Sequence, residues 1–265
     1  AAGAVAGTGG GAVALGGSYA SGTDSFAAAI ANNTSSYGAT GAYSVALGYQ
    51  NKATGAYSIA IAGLTSTSSN SGSAIFGGFG NTSSGTYSTV LGGRDNTADA
   101  GYAYALGFGA HTQGVERRIA FAGNGGSGVA QSGIFCLSRE TTDATSIALT
   151  VDRNQTPTTD NQIILPNNSA YSFSGTIIAR EDATDGSDYA SWEIKGALLR
   201  DANAASTVLG NGIQNKLYAT SGASAWAIAL TADTTNGGLK IEVTGAASTN
   251  IRWVATVNTS EVTYA

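Results

Sequence analysis

Gly41-Ala-Tyr-Ser-Val-Ala-Leu-Gly48 returns as Gly55-Ala-Tyr-Ser-Ile-Ala-Ile-Ala-Gly63, and weaker copies follow. The apolar triplets are Val45-Ala46-Leu47, Ile59-Ala60-Ile61, Ala74-Ile75-Phe76, Thr89-Val90-Leu91, Tyr104-Ala105-Leu106 and Ile119-Ala120-Phe121. Their first residues stand 14, 15, 15, 15 and 15 apart. A short fixed period means that each unit is one rung of a stack, since no single rung could bury its apolar side alone. Large residues alternate with Ala in each triplet, the period-2 pattern of a strand. Turn chemistry such as Tyr49-Gln50-Asn51-Lys52-Ala53-Thr54-Gly55 leads into a second short strand. Two short strands plus turns make one flattened coil. Ala14-Leu15 and Phe26 to Ile30 read as irregular earlier rungs, and eight rungs at the inter-strand spacing would extend roughly 38 Å.

Small Ala, Ser and Gly suit the inside of so flat a coil. The larger residues must then face outward, and an apolar stripe along a rod marks an interface. The stripe Val45, Leu47, Ile59, Ile61, Ile75 and Val90 is therefore expected to join copies of the chain in a parallel homotrimer, since closed cyclic assemblies dominate among homo-oligomers.

The composition narrows the function. Only 11% of residues are charged and 42% are apolar, with a net charge of −5. No basic stripe offers itself to phosphates, so no nucleic-acid partner is expected. No apolar run is long enough for a membrane-spanning helix, and no membrane insertion is expected. The start Ala-Ala-Gly-Ala-Val-Ala-Gly is not that of an intact signal peptide and is expected to lie inside a longer protein. The single Cys136 excludes an intrachain disulfide, and beside Phe135 and Leu137 it reads as a small buried hydrophobe. The glycosylation-type tripeptides at Asn32, Asn33, Asn81, Asn167 and Asn258 read as turn residues.

Residues 1 to 114 hold 24 of the 38 glycines but only three acids (Asp24, Asp95, Asp99) and two bases (Lys52, Arg94). The remaining 14 acids and 10 bases follow, which marks a boundary near Gly114. Three segments are expected: a repeat shaft over 1–114, a transition with short strands over 115–169, and an antiparallel β-sandwich head over 170–265. Gln131–Leu137 and Ser146–Val151 read as strands, and 152–162 as a loop. Alternation recurs from Phe173, Ser191, Ala225, Leu239 and Ile251, with Asn236-Gly237-Gly238 a hairpin signal. Trp192, Trp226 and Trp253 lie in that alternation and are expected in the core.

Gly41 through Gly63 resembles the head repeats of trimeric autotransporter adhesins, the Yersinia-adhesin type, whose pattern is Ser-Val-Ala-Ile-Gly with recurring Ala and Gly. The similarity extends loosely over residues 11 to 122 and implies a left-handed parallel β-roll in a trimer. The heptad stalk and membrane anchor of those adhesins have no counterpart here. Instead Ser138–Thr145, Leu165–Tyr171, Phe173–Arg180, Ala232–Gly238 and Ile251–Val257 resemble the C-terminal region of tailed-phage fibre proteins. Together these resemblances imply an all-β fibre: a trimeric left-handed β-roll shaft followed by a β-sandwich head.

Catalytic constellations are sparse. Cleavage of a polysaccharide calls for paired carboxylates, and the shaft offers only Asp24, Asp95 and Asp99. Glu181, Asp182, Asp185 and Asp188 cluster around Gly186 and read as a solvated loop, with a calcium loop the sharper alternative. His111 is the only histidine and reads as a surface turn residue. Tyr43, Tyr57, Tyr87 and Tyr102 recur at one rung position and read as a packing ladder.

The expectation is thus a non-catalytic, adhesive virion fibre, of tail or capsid, that lies outside the cell and attaches to its host. No metal and no cofactor are expected. The partners implied are a host surface glycan or outer-membrane protein, and other virion proteins at the N-terminus. A bacterial trimeric adhesin head is the alternative function, with a depolymerising tailspike behind it.

Overall fold

A computed structural model describes residues 5–6, 10–16, 18–28, 36–123, 126, 128–182 and 188–264. The chain divides into two compact units, Ala1–Gln131 and Ser132–Ala265. Among the described residues there is no α-helix; a single 3₁₀ turn occupies Ala204–Ser206.

In the first unit the repeat becomes two parallel sheets that the chain visits alternately. The longer strands are Val13–Leu15, Phe26–Ala28, Val45–Tyr49, Ile59–Leu64, Ala74–Phe79, Thr89–Arg94, Tyr104–Phe108 and Ile119–Gly123, each hydrogen-bonded to the next. The shorter ones are Val5–Ala6, Tyr19–Ala20, Gly38–Ala39, Lys52–Ala53, Thr67–Ser68, Thr82–Ser83 and Thr97–Ala98. This is a parallel β-solenoid of about seven turns. The register follows the repeat: Val45 pairs with Ile59, Ile59 with Ala74, Ala74 with Thr89, Thr89 with Tyr104, and Tyr104 with Ile119.

The interior is narrow because both sheets turn small residues inward. Ala46, Ala60, Ile75, Val90, Ala105 and Ala120 line the long-strand side, all at 0% exposure. Ala20, Ala39, Ala53, Ser68, Ser83 and Ala98 line the other, also at 0%. The sheets approach closely enough for Ser68 and Ser73 hydroxyls to meet at 2.7 Å, and those of Ser83 and Ser88 at 2.8 Å. The recurring glycine before Ala-Tyr-Ser has a steric cause. A Cβ on Gly55 would stand 2.1 Å from the Asn70 carbonyl oxygen of the next rung.

Asparagine closes the coil at its other bend. Asn81 Nδ2 donates to the carbonyls of Gly77 and Gly93, each at 3.0 Å, and its Oδ1 accepts from Asn96 N at 2.9 Å. Asn96 repeats the pattern, donating to Gly92 and Gly107 and accepting from Ala110 N. Each side chain thus bridges rungs and satisfies backbone groups that a dry bend would orphan. Asn81 is fully buried, so it is a structural rung and no glycosylation acceptor. Asn32 and Asn33 lie outside the described residues, and Asn258 sits on a strand rather than in a turn.

The second unit is antiparallel. One sheet orders its strands as Ala130–Thr141, Ile251–Thr263, Ser169–Glu181, Tyr189–Arg200 and Val208–Ala219. In the other, Gly238–Thr244 pairs antiparallel with Ile147–Ala148, Ile163–Ile164 and Ala227–Asp233. Residues 251–261 alternate strictly, with Ile251, Trp253, Ala255 and Val257 buried. Trp253 stacks on Trp192 at 5.5 Å, contacts Trp226 at 6.0 Å, and donates its indole N–H to Thr141 Oγ1 at 3.0 Å. All three tryptophans are core residues. Cys136 departs from expectation: the alternation that buries Phe135 and Leu137 turns its thiol outward.

Candidate functional site: the outer face of the solenoid

The long-strand sheet presents three columns of side chains on its outer side. Val45, Ile59, Ala74, Thr89, Tyr104 and Ile119 form the first. Leu47, Ile61, Phe76, Leu91, Leu106 and Phe121 form the second, and Tyr49, Leu64, Phe79, Arg94 and Phe108 the third. Most of these are large and apolar. Leu91 and Phe121 are the barest, at 53% and 54% exposure. The Arg94 guanidinium lies between the rings of Phe79 and Phe108, at 5.2 and 5.1 Å, so even the charged rung covers apolar surface.

The sequence-derived stripe is placed in two ways. Val45, Leu47, Ile59 and Ile61 alternate with buried alanines and do face outward, half-buried. Ile75 and Val90 do not: each takes the middle, inward place of its triplet, where other rungs carry Ala. The outward residues of those rungs are Phe76 and Leu91. Strict alternation carried this information, since Ile75 aligns with Ala60 and not with Ile59 or Ile61.

A fourth column runs along the corner before the long strands. Tyr43, Tyr57, Tyr87, Tyr102 and Arg117 all adopt left-handed backbone, with φ of 55–58°, and Gly72 takes the equivalent corner. Tyr43 stacks on Tyr57 at 4.9 Å, Tyr87 on Tyr102 at 5.3 Å, and Arg117 lies over Tyr102 at 5.0 Å. These contacts offset a conformation that costs a non-glycine residue about 1–2 kcal/mol.

Two of the shaft acids are held by neighbouring side chains. Asp95 pairs with Arg94 at 3.1 Å. The Asp99 carboxylate accepts from Thr112 Oγ1 at 2.6 Å and Gly114 N at 3.0 Å, and meets His111 Nε2 at 2.9 Å. Burial pushes its pKa up, but the bonds from His111, Thr112 and Gly114 outweigh that and hold the carboxyl well below the usual range. His111 is therefore tied into a clasp rather than free on a turn. Gln131 holds its backbone on both sides, accepting from His111 N and donating to His111 O, each at 2.9 Å. Arg118, fully buried, donates to Gln113 Oε1 at 2.7 Å beside this clasp.

In the acidic loop, Asp182 pairs with Arg252 at 2.7 Å, and Asp188 accepts from Thr220 Oγ1 at 2.6 Å. Asp185 and Gly186 lie outside the described residues. Among the described residues, no three His, Cys, Asp or Glu side chains gather to hold a metal, and no helix is long and apolar enough to cross a membrane.

The YadA head domain repeat matches in two copies over residues 39–61, the stretch that carries the clearest repeat. Among curated proteins no sequence matches. Solved structures with similarity include the tailspike protein gp49 of Acinetobacter baumannii bacteriophage Fri1, a capsular polysaccharide depolymerase (10% identity, TM-score 0.31). Others are the tailspikes of Acinetobacter phage vB_ApiP_P1 (8%, TM-score 0.27) and A. baumannii phage AM24 (9%, TM-score 0.27). They cover 91–93% of this chain, which spans 40–57% of theirs.

One expectation is corrected by these neighbours. The chain was expected to be no enzyme because paired carboxylates are scarce in the shaft, yet a protein in this structural neighbourhood is a depolymerase.

Proposed function

We propose that this chain is part of an extracellular attachment fibre carried by a virion, in which three copies align in parallel. The observation that carries the reading is the outer face of the long-strand sheet. Six strands at about 4.8 Å spacing, three outward positions wide, give roughly 320 Å² in projection before side-chain relief is counted. The largest patches on monomers span about 300–600 Å² and are themselves often functional. Copies meeting through this face bury it, and three-fold closure leaves no open-ended contact. The left-handed sense of the coil and a sandwich packing of the second unit's two sheets belong to the same reading. Adhesin-like repeats over 39–61 support surface attachment as the task. Three linked weak sites raise avidity by about 10²–10⁴ without a tight pocket.

Light scattering under native conditions tests the assembly: three chain masses are expected, and a single mass of 26.3 kDa refutes it. Immobilised bacterial surface polysaccharides test the task. The trimer should bind at least one of them, and a Phe76→Asp variant that dissociates should lose that avidity. New reducing ends in the same incubation would move the reading from attachment to cleavage.

The 39–61 match also favours a second reading, the head of a bacterial surface adhesin. Mass spectrometry of purified virions and of washed cell envelopes separates the two.

A further inference from the structure

The sheet of shorter strands in the solenoid carries a different chemistry on its outer side. Lys52 pairs with Thr67, Thr67 with Thr82 and Thr82 with Thr97, which makes one outward column. Two residues further along each rung, Thr54, Ser69 and Ser84 make a second, which Asp99 continues. Ser68 and Ser83, between the two columns, point inward and bond to Ser73 and Ser88. Among the described residues, the six outward Thr and Ser hydroxyls find no partner in the chain. Both columns are neutral between their ends, and the end charges are engaged. Lys52 lies 5.0 Å over the Tyr37 ring, and Asp99 is held in its clasp.

The next turn leads from the second column to the tyrosine column. Thr54 stands three residues before Tyr57, Ser69 before Gly72 and Ser84 before Tyr87. Gly72 interrupts the aromatic stack. Tyr57 stacks on Tyr43 on one side and on no ring on the other, and at 61% it is the most exposed of the four tyrosines. Tyr87 leans over the glycine, since a Cβ there would stand 2.4 Å from its Cδ1.

Sugars present apolar C–H faces rimmed by hydroxyls, so an open aromatic face beside unbonded hydroxyls suits them. The rungs recur at about 4.8 Å, close to the advance per sugar of an extended glycan. A neutral face complements an uncharged partner and offers a polyanion or a basic peptide nothing to pair with.

We propose that this side of the solenoid, from Thr54 to Thr97, is a binding track for a neutral glycan lying along the rod, with one sugar seated against Tyr57 beside Ser69 and Ser84. This rests on the attachment reading and gives that task a place. Copies joined through the long-strand face leave the opposite side of each solenoid outward, so one fibre carries three tracks.

Immobilised bacterial surface polysaccharides, neutral and acidic, test it with the full-chain trimer by surface plasmon resonance. A neutral member should bind, and binding should persist in about 1 M salt, where exposed charges are screened. Tyr57→Ala removes the aromatic face, and Ser69→Glu places a charge where an exposed hydroxyl bonded to nothing in the chain. Each should keep the trimer mass and weaken binding at least about fivefold, the loss that follows removal of an anchoring contact. A trimer whose binding ignores both substitutions, or is abolished by salt, overturns the track and leaves the attachment reading standing. A trimer that binds none of the polysaccharides overturns both.

Discussion

Ile75 and Phe76 are neighbours in sequence with opposite environments, and replacing each by alanine separates the two things the shaft does. Ile75 is fully buried in a cluster whose other members are Val90 and the alanines at 98, 105, 110, 120 and 122. Ile75→Ala removes three carbons from it. An alanine wall cannot lengthen to refill the space, so the loss should fall in the upper half of the usual range for such truncations, about 4 kcal/mol. Phe76 is 48% exposed. Half of its side chain is left for a neighbouring copy to bury, worth about 1 kcal/mol per subunit, or roughly fivefold in a per-subunit association constant. Guanidinium unfolding followed by circular dichroism reads the first effect, and sedimentation equilibrium reads the second. Ile75→Ala should lower the unfolding midpoint and leave trimer dissociation near wild type, whereas Phe76→Ala should raise dissociation with little change in rung stability. The reasoning fails if Ile75→Ala costs under about 1 kcal/mol, or if Phe76→Ala leaves self-association untouched.

Two further perturbations probe the joints of the coil. Asn81→Ala strips partners from the carbonyls of Gly77 and Gly93 and from the Asn96 N–H. At about 1–3 kcal/mol for each of these three orphans, a loss of roughly 3–9 kcal/mol is expected from the denaturation midpoint, and a loss below 1 would show water entering the bend. Asp99 has a folded pKa below its unfolded value of about 3.9, so its stabilisation is complete above that value and disappears as pH falls through the folded one. Melting temperatures between pH 5 and 2 should therefore fall less steeply for Asp99→Asn than for wild type, and equal slopes would place the acid sensitivity elsewhere.

How much of this was legible in the sequence differs between the two units for a physical reason. In the solenoid each rung meets a near copy of itself, so the spacing of 14 and 15 fixes strand order, parallel sense and register together. The burial side was the harder part. Ile75 and Val90 are the largest residues of their triplets apart from Phe76 and Leu91, and size alone suggests the outward stripe. The inside accepts them because Ala-lined rungs lie directly next in line, Ala60 before Ile75 and Ala105 after Val90. Position within the triplet, rather than size, decides the face. The clasp of Asp99, His111, Thr112 and Gln131 left no trace in the sequence, since it joins residues from different rungs that no local pattern relates.

In the second unit alternation marked the strands from Phe173, Ser191, Leu239 and Ile251 because each has one wet and one dry face. Val208–Ala219 escaped notice for the opposite reason. None of its residues is buried, and the bulges at Gly210 and Leu217 break the period-2 pattern, so Ile213 and Leu217 read as scattered apolar residues in a polar stretch. It reaches the core through one long side chain, Lys216, which lies 5.6 Å from the Trp192 ring and donates to the Trp226 carbonyl at 2.7 Å. Only Asn211–Lys216 keeps an unbroken register with Trp192–Ala197, which is too short a run for its alternation to stand out in the sequence.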